Sequence, residues 1–264
     1  MTSAELLDLA LDVAREAATL VRTRREVGVR VAATKSSITD VVTDADRASE
    51  ALIRERILAA RPDDGILGEE GSDTLGTSGV RWVVDPIDGT VNYLYGLAQY
   101  AVSIGVEVDG VVEVGVVVNA ATGDEFAAVR GNGATRNGVP LRVRPARPLE
   151  RAVVATGFNY ELAVRTVQAE AVAALVVRVA DIRRFGSCAL DLCALAAGQS
   201  DGYVEEGCLP WDHAAGGLIA TEAGATVEVL TGAAGRDLVV AAPADAYAGF
   251  LGLVRSCGFT AHGR

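Results

Sequence analysis

The chain has 264 residues, and its 35 acidic against 24 basic side chains give a formal net charge of -11. This balance argues against nonspecific binding to nucleic acid or to anionic lipid, which depends on basic patches. Two histidines are too few for a histidine-rich zinc or iron site. Because the sequence has no apolar run of about 18 residues and no signal-peptide pattern, no membrane span is expected.

The cysteines also carry information about the location of the protein. None of the four, Cys188, Cys193, Cys208 and Cys257, belongs to a C-x-x-C pair, so a zinc or thioredoxin-like motif is unsupported. Buried, reduced thiols are expected instead. Reduced thiols are typical of the cytoplasm, which is the predicted location.

Two amphipathic helices are predicted near the N-terminus. The Thr-Ser-Ala-Glu sequence at 2–5 has the spacing of a capping box, and apolar residues then recur at helical spacing up to about Arg25. A similar start at Thr43 opens a second helix that runs to about Ala60. This second helix places Asp46 in its first turn.

Strand signals follow. The apolar run Trp82-Val83-Val84 predicts a buried strand, and we expect the proline after Asp85 to close it, because proline donates no hydrogen bond to a sheet. The β-branched runs at 100–108 and 111–119 are joined by Asp109-Gly110, which predicts a hairpin. Asn137-Gly138 predicts a second hairpin.

After about residue 145, strands and helices alternate. The predicted strands lie at 151–156, 226–230 and 238–242, and the predicted helices at 162–177, 187–197, 211–223 and 244–255. Hairpins and crossovers occur together, without an internal repeat or a long linker. This mixture indicates one α/β unit of the α+β type, with an N-terminal half of about 1–145 and a C-terminal half of about 146–264.

Acidic residues at the end of the predicted strand carry the main chemical signal. Asp85 and Asp88 are three residues apart, and two converging carboxylates repel each other unless a cation or a proton lies between them. Hard oxygen ligands select magnesium, manganese or calcium rather than zinc. Gly89 permits a close approach of backbone, and Thr90 can begin a helix whose free N–H groups hold an anion.

The segment W-V-V-D-P-I-D-G-T-V-N-Y at 82–93 resembles the W-x-x-D-P-I-D-G-T-x-N-[FY] signature of the inositol monophosphatase family. The family's other motifs occur in the same order, at Lys35 to Asp46, Gly68-Glu69-Glu70-Gly71, Gly186 to Leu192, and Trp211-Asp212 with Glu222-Ala223-Gly224. The resemblance implies a layered αβαβα sandwich, which the family shares with fructose-1,6-bisphosphatase. It also implies metal-dependent hydrolysis of small phosphate monoesters, with inositol monophosphate as the leading substrate.

The same resemblance implies roles for individual residues. Two or three Mg²⁺ ions, with Mn²⁺ as an alternative, would be held by the side chains of Glu69, Asp85, Asp88 and Asp212 and by the main-chain carbonyl of Ile87. The catalytic residues would be Asp46, Glu69 and Thr90, with Asp46 and Thr90 forming a hydrogen-bonded pair that helps to activate the attacking water. The substrate would contact Asp88, Gly89, Thr90, Gly186, Ser187, Cys188, Glu205 and Asp212.

Some positions keep a second interpretation. Lys35 either closes the site or is a surface lysine, and Asp46 and Asp212 each have a helix-capping explanation as well. Glu205 rather than its neighbour Glu206 is expected to face the pocket, since adjacent residues on a strand point to opposite sides. Cys188 stands where the family usually has alanine, so substrate preference is open at that position.

Alternative functions also remain open. Histidinol phosphate and sugar phosphates such as fructose 1,6-bisphosphate are alternative substrates within the same fold, and adenosine bisphosphates fit less well. A regulatory binding protein that needs no turnover is the alternative from a different class. The resemblance further implies a homodimer and inhibition by lithium.

Overall fold

Two β-sheets, each covered by helices on both faces, organise the computed structural model, which describes residues 2–34, 41–71 and 73–261. The layers follow the order helices, sheet, helices, sheet, helices, which is the αβαβα sandwich implied by the resemblance. Lys35 lies outside the described residues. None of the helices within those three ranges is long and apolar enough to cross a membrane.

Side-chain caps determine where the first two helices begin. The Thr2 hydroxyl accepts the N–H of Glu5, and the Glu5 carboxylate accepts the N–H of Thr2. Thr43 and Asp46 form a reciprocal cap of the same kind at the second helix, so both predicted starts are confirmed. The helices are α1 Ser3–Val27, α2 Asp44–Ala60, α3 Thr90–Tyr95, α4 Leu162–Val176, α5 Cys188–Ala196, α6 Pro210–Glu222 and α7 Tyr247–Ser256, with a 3₁₀ turn at Leu149–Arg151.

The larger sheet belongs to the first half of the chain and follows a two-stranded ribbon of β1 Val31–Thr34 and β2 Val41–Thr43. Its strands, in spatial order, are β3 Gly65–Gly68, β4 Val80–Asp88, β5 Ala101–Val108, β6 Val111–Asn119, β7 Glu125–Val129, β8 Ala134–Arg136 and β9 Val139–Pro140. Both predicted hairpins are confirmed. Their turns have positive φ at both residues, 50° and 82° at Asp109-Gly110 and 51° and 77° at Asn137-Gly138, as two-residue hairpins require.

The prediction that Pro86 closes the strand at Asp85 is wrong, because β4 continues to Asp88. Asp85 pairs with Ser103 and Asp88 pairs with Ala101, so β4 holds one extra residue between these two pairs. Such a bulge accommodates a proline, which is otherwise excluded from a central strand. Residues three apart on a regular strand point to opposite faces, and the extra residue lets both aspartates reach the same side.

The smaller sheet belongs to the second half of the chain. Its strands are β10 Val153–Thr156, β11 Asp181–Arg183, β12 Gly202–Glu206, β13 Ala225–Thr231 and β14 Asp237–Pro243, arranged in the order β11-β10-β12-β14-β13. β10 runs parallel to both of its neighbours, and the other pairs are antiparallel. β12 therefore lies at the centre of this sheet, with its C-terminal end at Glu206.

The middle helical layer connects the two sheets. α1 and α2 cover the outer face of the larger sheet, α5 and α6 lie between the sheets, and α4 and α7 cover the outer face of the smaller sheet. α6 packs closely on β6, since a Cβ at Gly115 would lie only 2.6 Å from the carbonyl oxygen of Ala215. All four cysteines are buried and unpaired. The assignment of the chain to one domain stays a prediction.

Candidate active site

A pocket of about 600 Å³ lies where the end of β4 meets β12 and the start of α6. It gathers most of the predicted site residues from both halves of the chain, namely Glu69, Asp85, Ile87, Asp88, Gly89, Thr90, Gly186, Cys188, Glu205 and Asp212. Asp46 and Ser187 do not line the pocket, but each is hydrogen-bonded to a residue that does. The structure thus brings together side chains that are up to about 140 positions apart in the sequence.

Burial and nearby negative charges raise the pKa of Asp85, Asp88 and Asp212 in this pocket. Removal from water raises the pKa of Asp85 and of Asp212 well above the ordinary value of 3.8, and the negative charges of Glu69 and Asp88 add to both shifts. Burial also raises the pKa of Asp88 to about 6, although hydrogen bonds from Ser187 and nearby backbone oppose that rise. A bound cation relieves this repulsion.

Hydrogen bonds fix three of these carboxylates at one oxygen each. The pairs are Ser187 Oγ and Ala189 N to Asp88 Oδ2 at 2.7 Å each, Ile87 N to Asp85 Oδ1 at 3.0 Å, and Leu209 N to Asp212 Oδ2 at 2.7 Å. The bond to Leu209 caps α6, so the capping interpretation of Asp212 holds together with its place in the pocket. The second oxygen of each carboxylate takes no part in these bonds.

The donor set fits a hard divalent cation such as Mg²⁺, which prefers carboxylate and carbonyl oxygens. As they stand, no three acidic, histidine or cysteine side chains within residues 2–34, 41–71 and 73–261 are arranged to hold one ion. The carboxylates lie close enough to repel one another, and their side chains would have to move closer together to hold one ion. The Ile87 carbonyl faces the Thr90 hydroxyl, which donates to it at 3.1 Å.

Asp46 and Thr90 form a hydrogen-bonded pair beside the carboxylates. The Thr90 hydroxyl lies 3.1 Å from Asp46 Oδ1. Asp46 Oδ2 accepts the N–H of Thr43 at 2.8 Å and its hydroxyl at 2.5 Å, so Asp46 also caps α2. Burial raises the pKa of Asp46 to about 6 in spite of these bonds, and the charge of Glu69 contributes to the rise.

Asn92 holds the two halves of the chain together at the pocket. Its side-chain amide donates to the carbonyl oxygens of Gln99 at 2.8 Å, Phe185 at 2.7 Å and Gly186 at 3.2 Å. Close packing extends to Gly89, whose φ is 93° and whose added Cβ would lie 2.7 Å from the Gln99 carbonyl oxygen. Gly89 and Asn92 of the quoted signature are therefore explained by packing and hydrogen bonding within the fold.

Glu205 and Glu206 both border the pocket. The sequence predicted that only Glu205 would face it, because adjacent residues on a strand point to opposite sides. The Glu205 carboxylate accepts the hydroxyl of Tyr203 at 2.8 Å. The Glu206 carboxylate is instead bonded to the N–H groups of Ala234 at 2.8 Å and Arg236 at 3.1 Å. Glu206 thus fixes the loop between β13 and β14, and Glu205 stays available to a ligand.

Several pocket residues were not found from the sequence. The pocket is also lined by Arg184, Trp211, Arg236 and the segment 158–161. Trp211 belongs to the Trp211-Asp212 motif but was given no role of its own. No motif signals the other residues, because their contribution depends on the packing of loops that are distant in sequence. The bond from Ser187 to Asp88 was also missed, although serine before a helix is the usual sign of an N-cap, and Ser187 does cap α5.

With this geometry established, comparison with known proteins identifies the family. The sequence profile of the inositol monophosphatase family matches residues 3–258. The chain belongs to the inositol monophosphatase family. It is therefore a phosphatase, and the acidic pocket is its candidate active site.

Members of the inositol monophosphatase family from three bacteria show the extent of the similarity. Inositol-1-monophosphatase SuhB of Mycobacterium tuberculosis is 46% identical over 261 residues, covering 91% of this chain and 90% of that protein. The Nus factor SuhB of Escherichia coli K12 is 41% identical over 229 residues, 86% of each chain. The crystal structure of the extragenic suppressor protein suhB from Bartonella henselae has a TM-score of 0.86 at 35% identity, covering 96% of this chain and 98% of that one.

Proposed function

We propose that this protein hydrolyses inositol monophosphate to inositol and phosphate in a magnesium-dependent reaction. The observation that carries the proposal is the convergence of Glu69, Asp85, Asp88 and Asp212 on one pocket, where burial and the charges of Glu69 and Asp88 raise the pKa of both Asp85 and Asp212. Such a set is costly to a folded protein without a cation. The name of the Mycobacterium tuberculosis relative supports inositol 1-phosphate as the substrate.

The proposed ligands of two or three Mg²⁺ ions, or of Mn²⁺ in their place, are these four carboxylates and the Ile87 carbonyl. The chemistry that such ions supply when bound is activation of water and neutralisation of charge on phosphate oxygens. Ser187 and the N–H of Ala189 hold Asp88 in its orientation. The chain's own contribution is thus to position the ligands and to exclude water from them.

The remaining site residues have proposed roles toward substrate and water. Thr90 and Asp46 orient the attacking water. The Thr90 oxygen takes a proton from that water as the Thr90 hydroxyl gives its own proton to Asp46 Oδ1, 3.1 Å away. The N–H groups of Gly89 and Thr90 face the phosphate. Glu205 accepts hydrogen bonds from substrate hydroxyls, and the loop at 186–188 borders the ring.

Phosphate release from a panel of esters tests this function. The panel holds inositol 1-phosphate, histidinol phosphate, fructose 1,6-bisphosphate and adenosine 3′,5′-bisphosphate, each with Mg²⁺ and with a chelator. We expect inositol 1-phosphate to have the highest kcat/KM and the chelator to abolish release. A preference for another ester would keep the mechanism and change the substrate, whereas no metal-dependent release from any ester would contradict the proposal.

A second candidate function is a binding role that needs no turnover. The Escherichia coli relative is named a Nus factor, which is the observation in its favour. The test is a pull-down with wild-type protein and the Asp88→Asn variant. Equal retention of a macromolecular partner by both would support the binding role, and loss of every partner at physiological salt would contradict it.

Three further properties are proposed in line with the family. Lithium is expected to inhibit phosphate release, and a titration against sodium chloride at equal ionic strength checks this. A cytoplasmic location is supported by the four unpaired thiols. A homodimer is supported by three exposed apolar residues, called here the apolar patch. They are Tyr95, Leu97 and Phe185, which are 76%, 57% and 41% exposed.

A further inference from the structure

Arg184 lines the pocket and lies in the segment between β11 and α5. A Cβ added to Gly186 would overlap the Arg184 guanidinium, so this group lies directly across Gly186. The Gly186 carbonyl oxygen in turn lies 3.2 Å from where a Cβ of Gly89 would be. Gly186 thus lies between the Arg184 guanidinium and Gly89, one of the residues proposed to face the phosphate.

The neighbouring arginines are neutralised, and Arg184 is not. Arg236 also lines the pocket, but its guanidinium contacts both carboxylate oxygens of Glu161, at 2.7 and 3.0 Å. Arg183 forms an ion pair with Asp181 at 2.5 Å. Arg184 makes no hydrogen bond or salt bridge with any residue in the described part of the chain. Its N–H donors are therefore available to a ligand.

Arg184 faces the charges of the half-buried Glu205 and the buried Asp191. Burial raises the pKa of Glu205, and the Tyr203 hydroxyl and the positive charge of Arg184 both oppose that rise. Asp191 lies in the first turn of α5 and is fully buried, and neither of its oxygens has a hydrogen-bond partner among the described residues. Burial raises the pKa of Asp191 well above 3.8, and Arg184 opposes this shift also. The pocket therefore presents a free cation next to an acceptor carboxylate.

We propose that Arg184 is a specificity-determining residue that, together with Glu205, recognises two adjacent hydroxyl groups on the alcohol part of the substrate. Glu205 accepts the hydrogen of one hydroxyl, and Arg184 donates to the oxygen of the next. Among the esters that the proposed function already includes, Arg184 then favours those whose alcohol part carries two free neighbouring hydroxyls. A second phosphate group is disfavoured at this position, because the Glu205 carboxylate and the nearby acids repel it.

This inference rests on the proposed function, because it concerns the same pocket. Its test uses two esters with the same six-membered ring, inositol 1-phosphate and cyclohexyl phosphate, which differ only in the ring hydroxyls. The variants are Arg184→Ala, Arg184→Lys and the matched control Arg183→Ala, each with its Tm and its mass in solution measured. The mass is included because Arg184 adjoins Phe185 of the apolar patch.

We expect Arg184→Ala to raise KM for inositol 1-phosphate about tenfold, the effect of losing one charge-assisted hydrogen bond. Its kcat should stay within about twofold, and hydrolysis of cyclohexyl phosphate should not change. Arg184→Lys should recover part of the loss because it restores a donor, and Arg183→Ala should behave as wild type. This difference between the two esters is what a merely structural role of Arg184 does not produce.

Equal effects of Arg184→Ala on both esters, or no effect on either, would overturn the assignment, as would the same loss in Arg183→Ala. If wild-type protein releases phosphate from neither ester, the proposed function fails, and calorimetric titration with inositol 1-phosphate then decides the role of Arg184 separately. A Kd about tenfold weaker in Arg184→Ala would support the role, and an unchanged Kd would overturn it.

Discussion

Burial sets the behaviour of single acidic residues in this protein. Asp46 is 1% exposed, and its pKa rises from 3.8 to about 6 even though Thr43 donates two hydrogen bonds to it. The same residue is a helix cap and the partner of Thr90. Capping and a place beside the pocket are thus compatible, because each uses a different carboxylate oxygen.

Removal of the Thr90 hydroxyl tests the Asp46–Thr90 pair. We expect Thr90→Ala to lower kcat about a hundredfold, the scale of one lost proton-transfer group, with a smaller change in KM. Thr90→Ser keeps the hydroxyl and should retain most of the activity. Steady-state kinetics with inositol 1-phosphate measures both variants. Equal loss in the two would show that the methyl group, not the hydroxyl, matters.

The raised pKa values of the carboxylates make stability depend on pH and on metal. In the unfolded chain these acids ionise near pH 4, whereas in the folded chain Asp46 and Asp88 keep their protons up to about pH 6. The folded state then binds more protons, so the free energy of unfolding falls as pH rises from about 4 through about 6. For Asp46 alone the shift corresponds to roughly 3 kcal/mol.

Thermal unfolding at pH 5 and pH 8, each with chelator and with Mg²⁺, measures this dependence. With chelator, we expect Tm to be lower at pH 8, and Mg²⁺ should raise Tm more at pH 8 because it binds the ionised carboxylates. Burial lowers the pKa of His213, which makes stability rise with pH and so opposes the effect of the carboxylates. Asp88→Asn is therefore the control, because it removes part of the carboxylate effect and leaves His213 in place. An increase in Tm caused by Mg²⁺ that is equal at both pH values would contradict the account.

At the scale of elements, the sequence predicted the features that depend only on neighbouring residues, namely helix caps and hairpin turns. The caps at Thr2 and Thr43 and the two turns with positive φ were all readable from neighbouring residues. The prediction that Pro86 ends the strand failed because a bulge, which depends on the partner strand β5, keeps this proline inside the sheet. Short strands such as β7 and β11 gave no signal of their own, since they exist through pairing with strands far away in the sequence.

The contact between α6 and β6 gives a prediction at this scale. In Gly115→Ala the new Cβ would lie 2.6 Å from the Ala215 carbonyl oxygen, so backbone would have to shift. We expect a loss of about 1–3 kcal/mol in the free energy of unfolding, measured with urea. In the control Gly249→Ala no atom lies within 4 Å, and helix propensity should leave stability unchanged or raise it slightly. Equal stability of the two variants would contradict the close packing.

At the scale of the whole molecule, the two halves of the chain complete one site. The family motifs predicted the acids of the pocket, because each acid lies within a short continuous sequence motif. The position of Arg184 was not predictable, since it depends on how the segment before α5 packs. The different roles of Glu205 and Glu206 were not predictable either, since they depend on how the loop after β13 packs. The bonds of Asn92 show how tightly these segments are held together.

The proposed homodimer is tested through the apolar patch. The Leu97 N–H donates to the Asn92 carbonyl at 3.0 Å, and the Asn92 amide donates to the Phe185 carbonyl, so Asn92 links the two segments that carry Leu97 and Phe185. We expect wild type to have twice the 27.3 kDa mass of one chain in light scattering, and Leu97→Asp to be a monomer. Leu75→Asp, at a leucine that is 100% exposed elsewhere, is the control and should stay dimeric. A monomeric wild type at tens of micromolar would contradict the dimer.

The central claim is that the carboxylates of this pocket make phosphate release depend on Mg²⁺. The most direct measurement is the rate of phosphate release from inositol 1-phosphate as a function of Mg²⁺ concentration, in wild type, Asp88→Asn and the control Glu113→Gln. Glu113 is a surface acid in an ion pair with Arg130, so its variant removes the same charge away from the pocket. We predict saturable Mg²⁺ activation in wild type and Glu113→Gln, and a rate lower by at least about a thousandfold in Asp88→Asn. Release that is independent of Mg²⁺, or that survives Asp88→Asn, would contradict the account.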